Sequence, residues 1–229
     1  MSSLPATGPC ARRMRAHRTP RARKAPAMQD DALFPLLSAL AAVYAAEPRE
    51  EAGRTARHLL EAGPSHLGAA HANDAILAEM AAALAASDHP AVQAILAGAH
   101  LLPWGDNPVA AQAAAAGDIY VVCTLMGPDG PIPSDDFRMG LFWQRPGTYY
   151  ALHSHDADET YVIVAGDAEW TAGDDTRLRG PGEAIHHPSL MPHAFRAGPQ
   201  GLLALWRWSG DVNTHSYRML PDPRAVAAA

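Results

Sequence analysis

Cysteine is nearly absent. Cys10 and Cys123 are the only two in 229 residues, too few for a disulfide framework or a cysteine-rich zinc module. Long apolar runs are missing too. None approaches the ~20 residues that cross a bilayer, so no membrane partner is expected and a cytoplasmic protein is. Basic charge is scarce where a nucleic-acid binder would need it. Seven of the 18 Lys and Arg fall in residues 1–29, which hold no acid, leaving 11 basic against 24 acidic residues and a charge of −13 for the rest. A body that acidic lacks the basic face that phosphate backbones require. With 48% hydrophobic and 18% charged residues, the chain is globular rather than disordered or coiled-coil. Its length suits one domain of ordinary size.

Residues 1–28 read as a basic tail. Pro5, Pro9, Pro20 and Pro26 argue against a transit helix, and no apolar segment follows Arg12 and Arg13 as a signal peptide would need. The gene start reads as over-long, since Met28 would serve as an initiator. Residues 29–105 read as a helical layer. Leu33, Leu36, Leu37, Leu40, Val43 and Tyr44 recur at the spacing of one buried helix face. Pro48 suits the first turn of a second helix carrying Leu59 and Leu60, which Gly63 and Pro64 stop. Asn73 caps a third with Ile76, Leu77, Met80 and Leu84 inward. Residues 87–90 break it and start a fourth with Val92, Ile95 and Leu96. His58, His66, His71, His89 and His100 lie among these helices without ligand spacing, as solvated or capping residues.

From residue 106 to 222 the pattern changes to short apolar or alternating runs at 119–126, 139–144, 149–153, 160–165, 168–171, 183–186, 193–197 and 202–208. Gly/Pro/Asp turn signals separate them, among them Gly166-Asp167 and Gly173-Asp174-Asp175. The expected fold is α+β, mainly β: one barrel preceded by the helical layer, with residues 223–229 as a tail.

Histidine is what the sequence has in excess. There are 12 in all, and His153, His155, His186, His187 and His193 fall within one 41-residue stretch. Side chains alternate across a strand, so His153 and His155 face one way. A turn near Ala157 and Asp158 returns the chain with Glu159 and Tyr161 on one face. His193 could join them from a neighbouring strand. Imidazole nitrogens with one carboxylate suit a borderline divalent cation such as zinc, iron(II) or manganese(II). His186 and His187 are read as non-ligands, and His215 has no assigned role.

The spacing is Gly147, five residues, His153-x-His155, three residues, Glu159, six residues, Gly166, then Pro181-Gly182 and Pro188-x4-His193. It resembles both motifs of the cupin family, whose fold is a double-stranded β-helix or jelly-roll barrel. The stretches 149–166, 181–194 and 202–211 resemble more specifically the cupin-type dimethylsulfoniopropionate (DMSP) lyases. That resemblance covers roughly residues 100–220, and those lyases also carry a helical lead-in. It implies a metal-dependent carbon-sulfur lyase that splits DMSP, a sulfonium zwitterion, into acrylate and dimethyl sulfide by β-elimination. One divalent metal would hold the substrate carboxylate.

By matching position, the implied metal ligands are His155, Glu159 and His193, with His153 as a further ligand or close neighbour. Tyr161 is the implied base and Tyr150 a second site tyrosine. Strict alternation puts Tyr149, not Tyr150, on the His153 face, and a bulge would exchange them. Ala197 stands where many cupins have an asparagine. A sulfonium would favour aromatic faces, which makes Trp143, Trp206 and Trp208, with Tyr149, candidate substrate contacts. Two other readings stand beside the lyase: another metal-cupin enzyme such as an Fe(II) dioxygenase, and a non-catalytic ligand sensor. A homodimer is a further expectation.

Overall fold

The computed structural model describes residues 32–62 and 66–226. The basic tail, the Met28 start, the Gly63-Pro64 stop and residues 227–229 lie outside them. Four helices come first, α1 (Leu33–Ala45), α2 (Glu50–Glu61), α3 (Asp74–Leu84) and α4 (Pro90–Ala97). α1 buries Leu33, Leu36, Leu37, Leu40 and Tyr44 on one stripe. α2 begins after an extended Arg49, so Pro48 lies just outside its first turn, which Glu50 and Glu51 occupy. Two carboxylates there suit the positive end of the helix dipole. Leu59 is buried while Leu60 is exposed, as expected of residues ~100° apart on a helix. Asn73 Oδ1 accepts the Ala75 N–H at 2.8 Å and caps α3. His89 Nδ1 does the same for α4 by accepting from Ala91 at 3.2 Å, with Pro90 in the first turn.

Nine strands follow: β1 (Tyr120–Gly127), β2 (Ile132–Pro133), β3 (Phe137–Gln144), β4 (Tyr149–Ser154), β5 (Asp158–Ala172), β6 (Asp175–Arg179), β7 (Ala184–His187), β8 (His193–Ser209) and β9 (Arg218–Met219). A helical turn, α5 (Pro223–Val226), ends the described chain. The sheet runs β2-β1-β3-β8-β4-β9, and β5 pairs with β6, β7 and β8, giving the mainly β barrel with a helical lead-in that the sequence suggested.

Two strands are longer than expected. The 160–165 and 168–171 runs form one 15-residue strand, and the 193–197 and 202–208 runs one of 17. Gly166-Asp167 is therefore not a turn. The β5–β8 register slips there instead, a bulge that bends the strand without ending it. Gly166 has φ +74°, and a Cβ on it would run into the Gly201 carbonyl. β6, exposed along most of its length, has no apolar alternation to announce it. It forms because the two-residue Gly173-Asp174 link lets Ala172 pair with Asp175.

The barrel strands nearest the helices are buried on both faces. Along β3, Leu141 and Trp143 join the core shared with α1–α4, while Phe142 between them joins the barrel interior. Along β8, Leu203 and Leu205 alternate in the same way with Ala204 and Trp206. A strand covered on both sides reads as a continuous apolar run, so sequence alone cannot say which alternate residues line the interior.

Candidate metal centre

The site is built by register. In the β5–β7 pair Glu159 lies opposite His187, and in the β5–β8 pair it lies opposite Trp208. His153 on β4 lies opposite His193 on β8. His155, His193 and Glu159 therefore converge, each at most 3% exposed. His155 Nε2 is 3.2 Å and His193 Nε2 3.0 Å from the same carboxylate oxygen, Glu159 Oε2.

Hydrogen bonding at the other ring nitrogen assigns the tautomers. His155 Nδ1 lies 3.2 Å from the Ala157 carbonyl, His193 Nδ1 2.9 Å from Met191 and His153 Nδ1 2.8 Å from Ala151. A carbonyl only accepts, so each Nδ1 carries the proton and each Nε2 presents a lone pair. Two such lone pairs facing a carboxylate oxygen repel it unless something positive lies between them. His193 Nε2 has no hydrogen-bond partner among the described residues, although it is buried. This donor set fits a divalent cation: neutral imidazoles fixed through their outer nitrogens, plus one carboxylate. The three ligand atoms all lie within 4.8 Å of one another. A second group of this kind, Asp156, Asp211 and His215, is half-buried to exposed.

Charge in the site follows its burial. Burial pushes the His153 imidazole well down. His187 is lowered to about 3 in the same way, so these rings are neutral. Burial and then the Glu159 charge raise the Tyr161 phenol well above its ordinary value.

A cavity of about 30 Å³ opens on this cluster, and Tyr150, His153, Glu159, Tyr161, Trp206 and Trp208 line it. Tyr217 lines it too. Its hydroxyl hydrogen-bonds that of Tyr150, and its ring stacks on His155 at 5.6 Å. Nothing in the sequence around Tyr217 singled it out, because it follows β8 in an irregular segment with no alternation to read. His187 is the other omission. It is buried on the Glu159 side of β7, with Nδ1 3.5 Å from Glu159 Oε2, although it lies outside the three-residue cluster. The alternation Ile185, His187 on β7 was the available signal. His186 points outward between Asp158 and Arg49, at 3.1 and 3.3 Å.

Two expected substrate contacts lie elsewhere. Trp143 is buried in the core shared with the helices, one residue out of phase with the interior Phe142. Tyr149 is on the outer face. Its hydroxyl donates to Asp222 Oδ2 at 2.7 Å, and Arg196 lies over its ring. The simple alternation that favoured Tyr149 fails because β4 bulges: between Tyr150 and His153 it uses three steps where β8, from Phe195 to His193, uses two. Tyr150 therefore shares the interior with His153.

The chain resembles known proteins in sequence and structure. Residues 49–204 match the model of the dimethylsulfoniopropionate lyase family. Over 106 residues the chain is 37% identical to the dimethylsulfoniopropionate lyase DddQ of Ruegeria pomeroyi, covering 46% of this chain and 53% of that protein. It thus spans about half the length of this curated relative. The crystal structure of DddQ from that organism superposes with a TM-score of 0.60 at 27% identity, over 80% of this chain and 93% of that one. A chain from the crystal structures of the DMSP lyases RdDddP and RnDddQII gives 0.63 at 24% identity, over 83% and 98%, which shows the fold. The family match extends over more than half of the sequence, from α2 into β8, and on that ground the protein belongs to the dimethylsulfoniopropionate lyase family.

Proposed function

We propose that the protein is a metal-dependent lyase that cleaves DMSP into acrylate, dimethyl sulfide and a proton. The observation that carries this reading is the convergence of His155, His193 and Glu159, lone pairs inward, on a cavity that Tyr161 also lines, in a chain of this family. His155, Glu159 and His193 would hold the cation, zinc, iron(II) or manganese(II), with His153 on the same cavity as a further ligand. A divalent cation bound there supplies Lewis acidity, which makes the proton next to a carboxylate easier to remove.

The remaining work falls to the chain. Tyr161 is the base. Burial and the Glu159 charge keep its phenol protonated, so it takes a proton only when positive charge at the cluster offsets both. Tyr150 and Tyr217, joined through their hydroxyls, orient the substrate beside it. Trp206 and Trp208 offer aromatic faces to the sulfonium. Among the described residues no Lys or Arg lines the cavity, which suits a substrate that carries its own fixed cation. At about 30 Å³ the cavity holds roughly one water. A substrate the size of DMSP enters when an adjoining wall gives way. Asn107, Tyr120 and Val122 separate it from an outer pocket of about 420 Å³.

The test is Tyr161→Phe in metal-loaded protein assayed without oxygen. Dimethyl sulfide release should fall by roughly 10²–10⁴-fold with metal content unchanged. Activity that survives the substitution overturns the base assignment. Wild-type turnover that needs O₂ overturns elimination in favour of an oxygenase.

A further inference from the structure

We propose that His187, locked by Trp170, is a positioning residue that orients the Glu159 carboxylate and thereby sets how tightly the centre holds a divalent cation. The inference rests on the metal-centre reading above. Register places His187 on β7 directly opposite Glu159 on β5, so the two side chains are neighbours on one face of the sheet. The His187 ring is 1% exposed and receives the Trp170 indole N–H on Nε2 at 3.0 Å. An indole only donates, so Nε2 is the accepting nitrogen and the proton sits on Nδ1. Among the described residues that Nδ1 has no hydrogen-bond partner. Its nearest carboxylate oxygen is Glu159 Oε2, at 3.5 Å, within reach of a small shift of either side chain.

This tautomer is the reverse of that in the ligand histidines. His155 and His193 spend their Nδ1 protons on backbone carbonyls and turn lone pairs inward. His187 turns a proton inward instead. It therefore gives the cluster a donor for the carboxylate rather than another ligand atom. The ring is also fixed in place: it lies parallel to His193 at 4.0 Å and 8°, while Trp170 stacks on Phe195 at 4.0 Å and 15°. Trp208 holds the other carboxylate oxygen, Oε1, at 2.7 Å. Glu159 is thus flanked on both sides by side chains its two neighbouring strands deliver, and without His187 its Oε2 side loses this donor. Partners of this kind, beyond the ligands themselves, are typically worth 10–100-fold in metal affinity.

The experiment uses the full chain, freed of metal, and measures Zn²⁺ affinity by chelator competition and the visible spectrum of the Co²⁺ form. Circular dichroism serves as the check on folding. His187→Phe keeps the stack on His193 and loses the donor. It should bind Zn²⁺ about 10–100-fold more weakly, with an altered Co²⁺ spectrum. His187→Asn, which carries an amide donor near the Nδ1 position, should recover most of that affinity. Trp170→Phe frees the tautomer and should weaken binding by less. Wild-type affinity and spectrum in folded His187→Phe, or an equal loss in His187→Asn, overturns the proposal. Should His187→Phe fail to fold, unchanged affinity in Trp170→Phe overturns it. Wild-type protein that binds neither cation overturns the metal-centre reading itself, and this proposal with it.

Discussion

Tyr149 and Tyr150, adjacent on β4, face opposite sides of the barrel wall, and the bulge between Tyr150 and His153 decides that Tyr150 is the inner one. Tyr150→Phe removes a hydroxyl bonded to Tyr217 inside the cavity. It should lower dimethyl sulfide production while leaving the metal in place. Tyr149→Phe removes the 2.7 Å bond to Asp222. It should cost about 1.5–3 kcal/mol of stability, as for a hydrogen bond to a charged group, and leave turnover unchanged. Thermal melts and headspace assays on the two variants check the assignment, and reversed phenotypes would contradict it. The same residues show what the sequence made legible. That His155, Glu159 and His193 come together was legible because residue types that suit a divalent cation recur there at regular spacings. The Tyr149 assignment failed because a bulge leaves no mark in the residue pattern. Trp143 was misplaced because both faces of β3 are buried, so neither side of it looks different.

At the scale of the element, β5 and β8 carry the site by running unbroken where the sequence suggested turns. Their shared bulge depends on Gly166, at φ +74° with the Gly201 carbonyl against it. Gly166→Ala should cost at least about 1–3 kcal/mol, the usual cost of a side chain in that region. Denaturant unfolding measures it, and an unchanged midpoint would show that the bulge does not need glycine. The segment after β9 is tied to β4 by Asp222. Its Oδ2 accepts from the Tyr149 hydroxyl and the Leu152 N–H, and its Oδ1 accepts from the Arg224 N–H. Burial opposes the charge on Asp222, but these donors outweigh it and lower its pKa. A carboxyl lowered on folding adds stability that is fully present above its unfolded value, about 3.9, and that is lost as pH falls through the folded one. The stability gap between wild type and Asp222→Asn should therefore be widest near neutral pH and narrow below pH ~4. A gap independent of pH would contradict the account.

For the molecule as a whole, two cores share the strands β1, β3, β5 and β8, and a buried ion pair joins the helical layer to the barrel. Arg207 makes a two-pronged contact with Glu47, at 2.5 and 2.8 Å. The Tyr44 hydroxyl donates to the Trp206 carbonyl at 2.9 Å. Arg207 lies between Trp206 and Trp208 in the chain, so the helical layer braces the strand whose opposite face lines the cavity. Glu47→Gln leaves a buried guanidinium without its counter-charge. It should destabilise by about 3–5 kcal/mol, visible in denaturant unfolding, and a loss under 1 kcal/mol would mean that the helices are held without it. The two-layer plan was legible in the sequence because each region keeps its own period. The brace was not, since Glu47 and Arg207 are 160 positions apart and nothing local pairs them. The central claim is that this acidic barrel is built around one cation that makes DMSP cleavable. Its most direct test is gas-phase detection of dimethyl sulfide from purified protein given DMSP, before and after chelation and after metal is restored. Release should disappear with the chelator and return with a divalent metal. No release from metal-loaded protein, or release that chelation leaves intact, would contradict it.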